Sequence, residues 1–424
     1  MEIPLNLPPG EKLQNFLDYL NAGVHERISS YSGSSGYFDG GFETGLSGRF
    51  RFDQGDVDLS LVLKYSPAGK LIKIVANADT STTKIQDWKA AVNEFIHSVW
   101  AAAFTERKQE IFHRSFFCYI GEALDGEYWL QKKLRFAPVI PNDEFPGSQK
   151  CERVVCIDQV VEAIDDKNAE AVAQERAAKL AARLSLLLNE PLYRPETTSR
   201  WVYVDSAARA TPQSQRCQLL FAHPLASCTQ MPKKAELCPL GKWSSGITDR
   251  YRQAWEPLSL PRESRDILKG LRDAPPQVSE AFDRAARLFQ VGAHCGQHYP
   301  SVGLAYRVAA VEAICQTERE IRDFTPFMQK YAGNTPEHNE LYNFMYGRLR
   351  SSHFHSGEFP SGEFARSGLW SPFQSAESDY MKRQLGTCFW ILRAAKINWM
   401  LEKLEVSPRP AEMLYMRPHS GNPK

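Results

Sequence analysis

From Pro275-Pro276 to the end of the chain, apolar residues recur at helical spacing in four separate stripes. Val278, Phe282, Ala285, Ala286 and Phe289 mark the first, after a proline pair suited to a helix start. Leu304, Val308, Val311 and Cys315 mark the second, which opens after Pro300. Glu337 to Ser352 reads as a third helix, and Leu385, Cys388, Leu392, Ala395 and Trp399 mark the fourth. A striped helix must bury its apolar side against another element, and four of them make a bundle. The pattern predicts an all-α domain over residues 276–405, followed by a tail at 406–424.

The first half has a different period. Val57, Leu59, Leu61, Leu63 and Tyr65 alternate with polar residues, as in a strand buried on one face. Leu71 to Ala76 reads as its partner across a Ser-Pro-Ala-Gly turn. Trp88, Val92, Phe95 and Val99 return to helical spacing, and an alanine-rich helix is expected from Asn168 to Asn189. Phe116 to Leu124 and Glu127 to Phe136 flank Asp125-Gly126, a hairpin signal. Residues 1–204 therefore read as a mixed α+β domain, and the chain as α+β overall. Residues 205–275, rich in proline and turn formers, read as a connection. Glycines and serines crowd residues 31–56, but the Lys-Ser/Thr ending and flanking elements of a phosphate-cradling loop are absent, so a loop or hairpin is expected.

The 424 residues, 43% of them hydrophobic, are enough for two or three well-formed cores. Net charge is +1, which excludes a global basic field; a nucleic-acid site would have to be a local patch. Nine cysteines are scattered without an even framework. The N-terminus lacks a basic region and an apolar core of a secretion signal. The most apolar C-terminal run, Cys388 to Leu404, is interrupted by Arg393, Lys396 and Asn398, so no membrane span is expected. A reduced cytoplasmic protein follows. Cys217, His223, Cys228 and Cys238 lack the tight Cys-x2-4-Cys spacing of structural zinc, and His294-Cys295-x-x-His298 falls where one helix ends and another begins. No metal or other cofactor is expected.

The chemistry-bearing stretch is Met345 to Phe359, Met-Tyr-Gly-Arg-Leu-Arg-Ser-Ser-His-Phe-His-Ser-Gly-Glu-Phe. Arg350 and His355 are five positions apart, and Arg348 and His353 share that spacing. Five positions along an α-helix advance roughly 7.5 Å and turn about 140°, so the partners would not face each other. Unwinding after His353, which Ser356-Gly357 suggests, would let His355 swing back toward Arg350. Arginine offers a planar fork of donors matched to phosphate oxygens, and histidine exchanges a proton near neutrality. RNA carries its own 2′-OH nucleophile beside each phosphate, so these residue types suit ribonucleolysis without a metal. The plain alternative is that the arginines solvate a helix face and His353 caps its C-terminus.

The stretch resembles the R-x4-6-H motif of HEPN ribonucleases, in particular the Apea-like branch. There an arginine-serine pair closes the third helix and a histidine-glycine pair follows; the corresponding residues are Arg350-Ser351 and His355, with Ser356 intervening before Gly357. Tyr306 to Cys315, an apolar helix carrying Glu312-Ala313, is similar to the helix before it, and the resemblance spans about residues 276–405. It implies a HEPN-like four-helix bundle acting as a metal-independent endoribonuclease. Arg350 and His355 would be catalytic, and Arg348, His353, Glu312 and Ser351 auxiliary. It also implies an RNA substrate, a homodimer through the helical domain, and a role in bacterial defence. In that role the N-terminal domain would answer a phage-derived or protein trigger. The same family includes non-catalytic RNA- or protein-binding modules.

Overall fold

The computed structural model describes residues 1–38, 40–79, 87–105, 108–139, 151–194, 199–206, 209–216, 228–244, 246–247, 257–318, 320–359, 363 and 372–407. The chain forms two compact units, one of Met1–Phe112 with Val160–Val172, the other of His113–Gln159 with Ala173–Lys424.

The first unit is an antiparallel sheet with helices on one face. Its elements are β1 (Glu2–Leu7), α1 (Glu11–Arg27), β2 (Ile28–Phe38), β3 (Gly41–Phe52), β4 (Gly55–Tyr65), β5 (Leu71–Ala78) and α2 (Trp88–Thr105). The strand order is β1-β5-β4-β3-β2, with every pair antiparallel. Strict alternation along β4 is visible in burial: Val57, Leu59, Leu61, Leu63 and Tyr65 face the core. They meet Phe16, Leu20 and Val24 of α1 and Val92, Phe95 and Val99 of α2. Gly23 permits the helices' close approach, since a Cβ there would stand 2.9 Å from the Phe95 ring. The Ser66–Gly69 turn closes with Gly69 N–H donating to Ser66 O at 2.9 Å, and Gly69 takes φ +76°. The glycine- and serine-rich stretch forms the β2–β3 hairpin.

Next come β6 (Gln109–Gly121), β7 (Tyr128–Gln131), β8 (Leu134–Pro138), β9 (Cys151–Ala163) and α3 (Asp166–Leu188). The strands form a sheet of order β6-β9-β8-β7. In the second unit, Ala177, Ala181, Leu184 and Leu187 of α3 share one core with Phe117, Phe136 and Ile157 of this sheet. Asp125-Gly126 does not join two paired strands. Instead, Glu127 N–H donates to Pro239 O at 2.8 Å, and Gly241 N–H returns to Glu127 O at 3.0 Å. A Cβ on Gly126 would meet Pro239 O at 2.5 Å, so close backbone approach is what requires glycine there. The tight hairpin lies one step later, between β7 and β8 at Lys132-Lys133.

Beneath that hairpin is a buried ionic network. Arg135, 1% exposed, donates from Nε to Glu127 at 2.6 Å and from Nη1 to Asp158 at 2.7 Å. Arg114 grips Asp158 with two bonds, at 2.6 and 2.8 Å. Burial alone would raise the Glu127 carboxyl; hydrogen bonds from Ala235 N–H, Trp129 Nε1 and Arg135 outweigh it and hold the group below its ordinary range.

A two-stranded antiparallel pair, β10 (Ser199–Ser206) and β11 (Arg209–Arg216), precedes the helices. These are α4 (Ser264–Asp273), α5 (Pro276–Cys295), α6 (Pro300–Cys315), α7 (Phe324–Ala332), α8 (Pro336–Asn343) and α9 (Pro372–Lys403), with two π-helical segments, Phe344–Arg350 and Ser352–Ser356, after α8. The chain is thus α+β with a C-terminal helical region. The four stripes read from sequence are buried with Val278 at their margin, while α4 and α7 carry further core residues such as Ile267, Leu268, Phe327 and Met328. Gly292, Gly296 and Gly303 bring α5 and α6 together; a Cβ on Gly303 would lie 2.6 Å from Gly296 Cα.

The core of the helical region takes in Phe117, Phe136 and Ile157 of the second sheet and Leu184 and Leu187 of α3. Arg183 of α3 donates to both oxygens of Asp283 on α5, at 2.6 and 3.1 Å. Arg393 of α9 donates to three backbone carbonyls, Leu186, Leu187 and Ile247, at 3.2, 2.9 and 3.3 Å. Within the sequence connection 205–275, Ile247, Leu258, Leu260 and Leu271 are core residues. Cys217 and His223 lie outside the described residues. No described helix is long and apolar enough to cross a membrane.

Candidate active site

Thr335 opens α8 by accepting a hydrogen bond from His338 N–H at 3.2 Å, and Pro336 supplies a first-turn residue with no N–H to satisfy. Tyr342, Met345 and Leu349 anchor one side of the following backbone in the core, each 0% exposed. Tyr342 also donates its hydroxyl to Gly333 O at 2.7 Å. The opposite side carries Tyr346, Arg350 and Phe354.

The third helix read from sequence, Glu337 to Ser352, is α-helical only to Asn343. It then widens into the two π segments. This change of period positions the site. A π-helix bonds i to i+5, so residues five apart lie nearly one turn apart on one face. The chain remains helical through Ser356 and stops at Gly357, whose φ of +67° is the left-handed cap. His355 therefore reaches Arg350 by widening of the helix rather than by unwinding after His353.

Arg350 Nη1 lies 3.3 Å from His355 Nε2. An arginine only donates, so in this hydrogen bond His355 Nε2 is the acceptor. The other side of the guanidinium meets Glu312 on α6, with Nε to Oε2 at 3.3 Å and Nη2 to Oε1 at 3.2 Å. The two side chains are 24% and 20% exposed, so the pair sits at the edge of solvent. Glu312, beside the apolar stripe of α6, braces the arginine and turns its Nη1 toward the histidine.

His353 points elsewhere. Its Nδ1 is 3.1 Å from Glu358 O, and its ring packs edge-on against Phe354 and Phe359. Ser351 links the π segments and makes no capping hydrogen bond with its side chain. The Arg348 side chain lies outside what the structure describes. Arg350, His355 and Glu312 are thus brought together, and His353 is not in direct contact with them.

Two aromatic residues complete the surroundings. The Arg350 guanidinium lies 5.5 Å from the Tyr346 ring centre and 5.6 Å from that of Phe354. Both rings are exposed, at 40% and 44%. Tyr346 stacks on Phe324, and Phe354 packs edge-on against Tyr306. Sequence reasoning did not single them out, although their placement four positions before and four after Arg350 was the available signal.

Among the described residues, no cluster of three or more His, Cys, Asp and Glu side chains forms a metal-binding arrangement. His294, at the end of α5, instead packs on Tyr193 at 4.3 Å between ring centres, and burial lowers its pKa. Compared with known proteins, the chain matches no family model, no curated protein and no solved structure.

Proposed function

We propose that the protein is a metal-independent endoribonuclease of the HEPN type. In this reading α5, α6, α8 with its π segments, and α9 form a HEPN-like four-helix bundle. The observation that carries the proposal is the 3.3 Å contact between Arg350 Nη1 and His355 Nε2, braced from behind by Glu312. Arg350 clamps the scissile phosphate and stabilises charge that builds on its oxygens. Phosphate oxygens replace His355 as the acceptor for Arg350 Nη1, and the freed His355 Nε2 takes the proton of the ribose 2′-OH as that oxygen attacks phosphorus. The bond to the 5′-oxygen breaks, and the products are a 2′,3′-cyclic phosphate and a 5′-hydroxyl once the leaving oxygen gains a proton. A single motif supplies one histidine near Arg350, so the second proton transfer is assigned to the same motif of a second copy, in a two-fold homodimer through the helical region.

The cellular role proposed is that of a cytoplasmic defence effector whose N-terminal part answers a phage-derived or protein trigger. That assignment rests on analogy with the resembled family. The exposed Tyr346 and Phe354 beside Arg350 favour a second reading, an RNA-binding module that cuts nothing, because aromatic faces with a cation hold single-stranded bases without chemistry. Incubation of total and transfer RNA with the purified protein in EDTA separates the two. Cyclic-phosphate ends that vanish in Arg350→Ala and in His355→Ala are expected. RNA binding that depends on Arg350, with no cleavage by a protein that is also harmless on expression, would establish the second reading.

A further inference from the structure

The two edges of the five-stranded sheet are built differently. At β1, Pro4 removes a backbone donor, Asn6 takes φ +67°, the register shifts between Pro4 and Leu7, and Glu2 adds charge. These are devices that keep another strand from pairing with an edge. β2, at the other edge, has the sequence Ile-Ser-Ser-Tyr-Ser-Gly-Ser-Ser-Gly-Tyr-Phe, with no proline and no charge. Its pairing with β3 is regular from Tyr31 to Phe38, the only irregularity lying before Tyr31. Ser30 to Ser35 are exposed, Tyr31 is 56% exposed and Tyr37 94%. An extended, uncharged edge of this length is a template for a further strand.

We propose that β2 pairs antiparallel with β2 of a second copy of this chain, about a two-fold axis at Ser34. The argument for a second copy is the symmetry of the sequence about that residue. Tyr31 and Tyr37 lie three positions to either side of Ser34, so the pairing sets Tyr31 of each copy opposite Tyr37 of the other. Period two puts both tyrosines on one face of the strand, with Gly33 and Ser35 between them. Two cross-strand aromatic pairs form, and no like charges meet, which identical charged strands could not avoid. A strand of another sequence would gain the same backbone hydrogen bonds without the matched tyrosines. The interface buries two of the most exposed aromatic side chains in the first unit and joins two five-stranded sheets into one.

Cross-linking of the full-length protein tests the axis directly. Residues opposite each other in an antiparallel pair have Cα atoms roughly 4.5–5.5 Å apart, within disulfide reach. Ser34→Cys is expected to shift to a covalent dimer on mild oxidation, above the background of the parent. Ser30→Cys is expected to stay at that background, since the two copies of residue 30 would lie about 26 Å apart. Cross-linking of Ser34→Cys no faster than that of Ser30→Cys overturns the proposal. This readout does not depend on RNA or on residues 345–359.

Discussion

Arg350 and His355 are five positions apart in sequence and 3.3 Å apart at Nη1 and Nε2, and the π-helical backbone between Phe344 and Ser356 is what joins those two facts. On an α-helix the same residues would diverge by about 140° around the axis. A wide helix is less favourable than an α-helix and persists where surrounding packing holds it. Here Met345 and Leu349 on the core side and the Arg350–Glu312 ion pair on the other provide that hold.

The geometry of the guanidinium fork makes Arg350→Lys a sharp test. Lysine keeps the charge but cannot face Glu312 with two donors and present a third toward phosphate. Its cleavage rate is expected to fall roughly 100-fold or more, close to that of Arg350→Ala. Single-turnover rates on one RNA measure this, and near-parental activity in Arg350→Lys would reduce the arginine to a point charge.

In the proposed site the exposed Phe354 and Tyr346 rings near Arg350 would stack bases. Each alanine substitution is expected to weaken single-stranded RNA binding by about 1–3 kcal/mol. Because the rings carry no charge, the slope of affinity against salt should stay as in the parent. Fluorescence anisotropy over a salt series reads both quantities. A changed slope with unchanged affinity at low salt would assign the rings to shaping the charged groups instead.

The Glu127–Arg135–Asp158 network predicts an acid-sensitive fold. Glu127 is held below the ordinary carboxylate value near 4.5, so its contribution is complete above that value and is lost as the pH falls below it. Glu127→Gln removes one partner from a fully buried pair and is expected to cost about 3–5 kcal/mol at neutral pH. The deficit should shrink as the parent is taken into acid. Urea unfolding at several pH values shows whether the two curves converge.

Lys396 points the other way. Its side chain is 0% exposed and donates to Leu392 O of its own helix, and burial pulls its pKa well below 10.5, with Arg307 and Arg393 acting in the same direction. The unfolded chain then binds more protons between the two values, so this group's contribution rises with pH across that window. Lys396→Met is expected to stabilise the protein at pH 7, by an amount on the order of 1 kcal/mol, and to flatten the rise toward pH 10. Loss of stability in the variant would show that the hydrogen bond and the nearby Phe289 ring outweigh the buried charge.

Much of the fold was legible because period and burial coincide. The alternation through Val57–Tyr65 and the stripes on α5, α6 and α9 are each a local record of which side meets the core. Asp125-Gly126 misled for a physical reason: glycine serves a tight turn and a close backbone crossing equally well, and here Pro239 and Gly241 are the crossing partners. The π segments left no mark in apolar periodicity, since Met345 and Leu349 still fit α-helical spacing. What brings His355 to Arg350 is the phase of the wide turn, which sequence spacing alone, the same for Arg348 and His353, does not carry. Glu312 was visible beside its stripe; its grip on Arg350 required the tertiary structure.

The three carbonyls that Arg393 holds bear on how this protein can be taken apart. Leu186, Leu187 and Ile247 all precede residue 276, where the helical stripes begin. A fragment excised at that point would carry a guanidinium stripped of its acceptors and an Asp283 stripped of Arg183, beside apolar surface that α3 now covers. Such a piece would be expected to aggregate rather than report on the candidate site. The segment bearing Arg350 and His355 is therefore not a detachable cassette, and the proposed cleavage is to be tested in the intact chain.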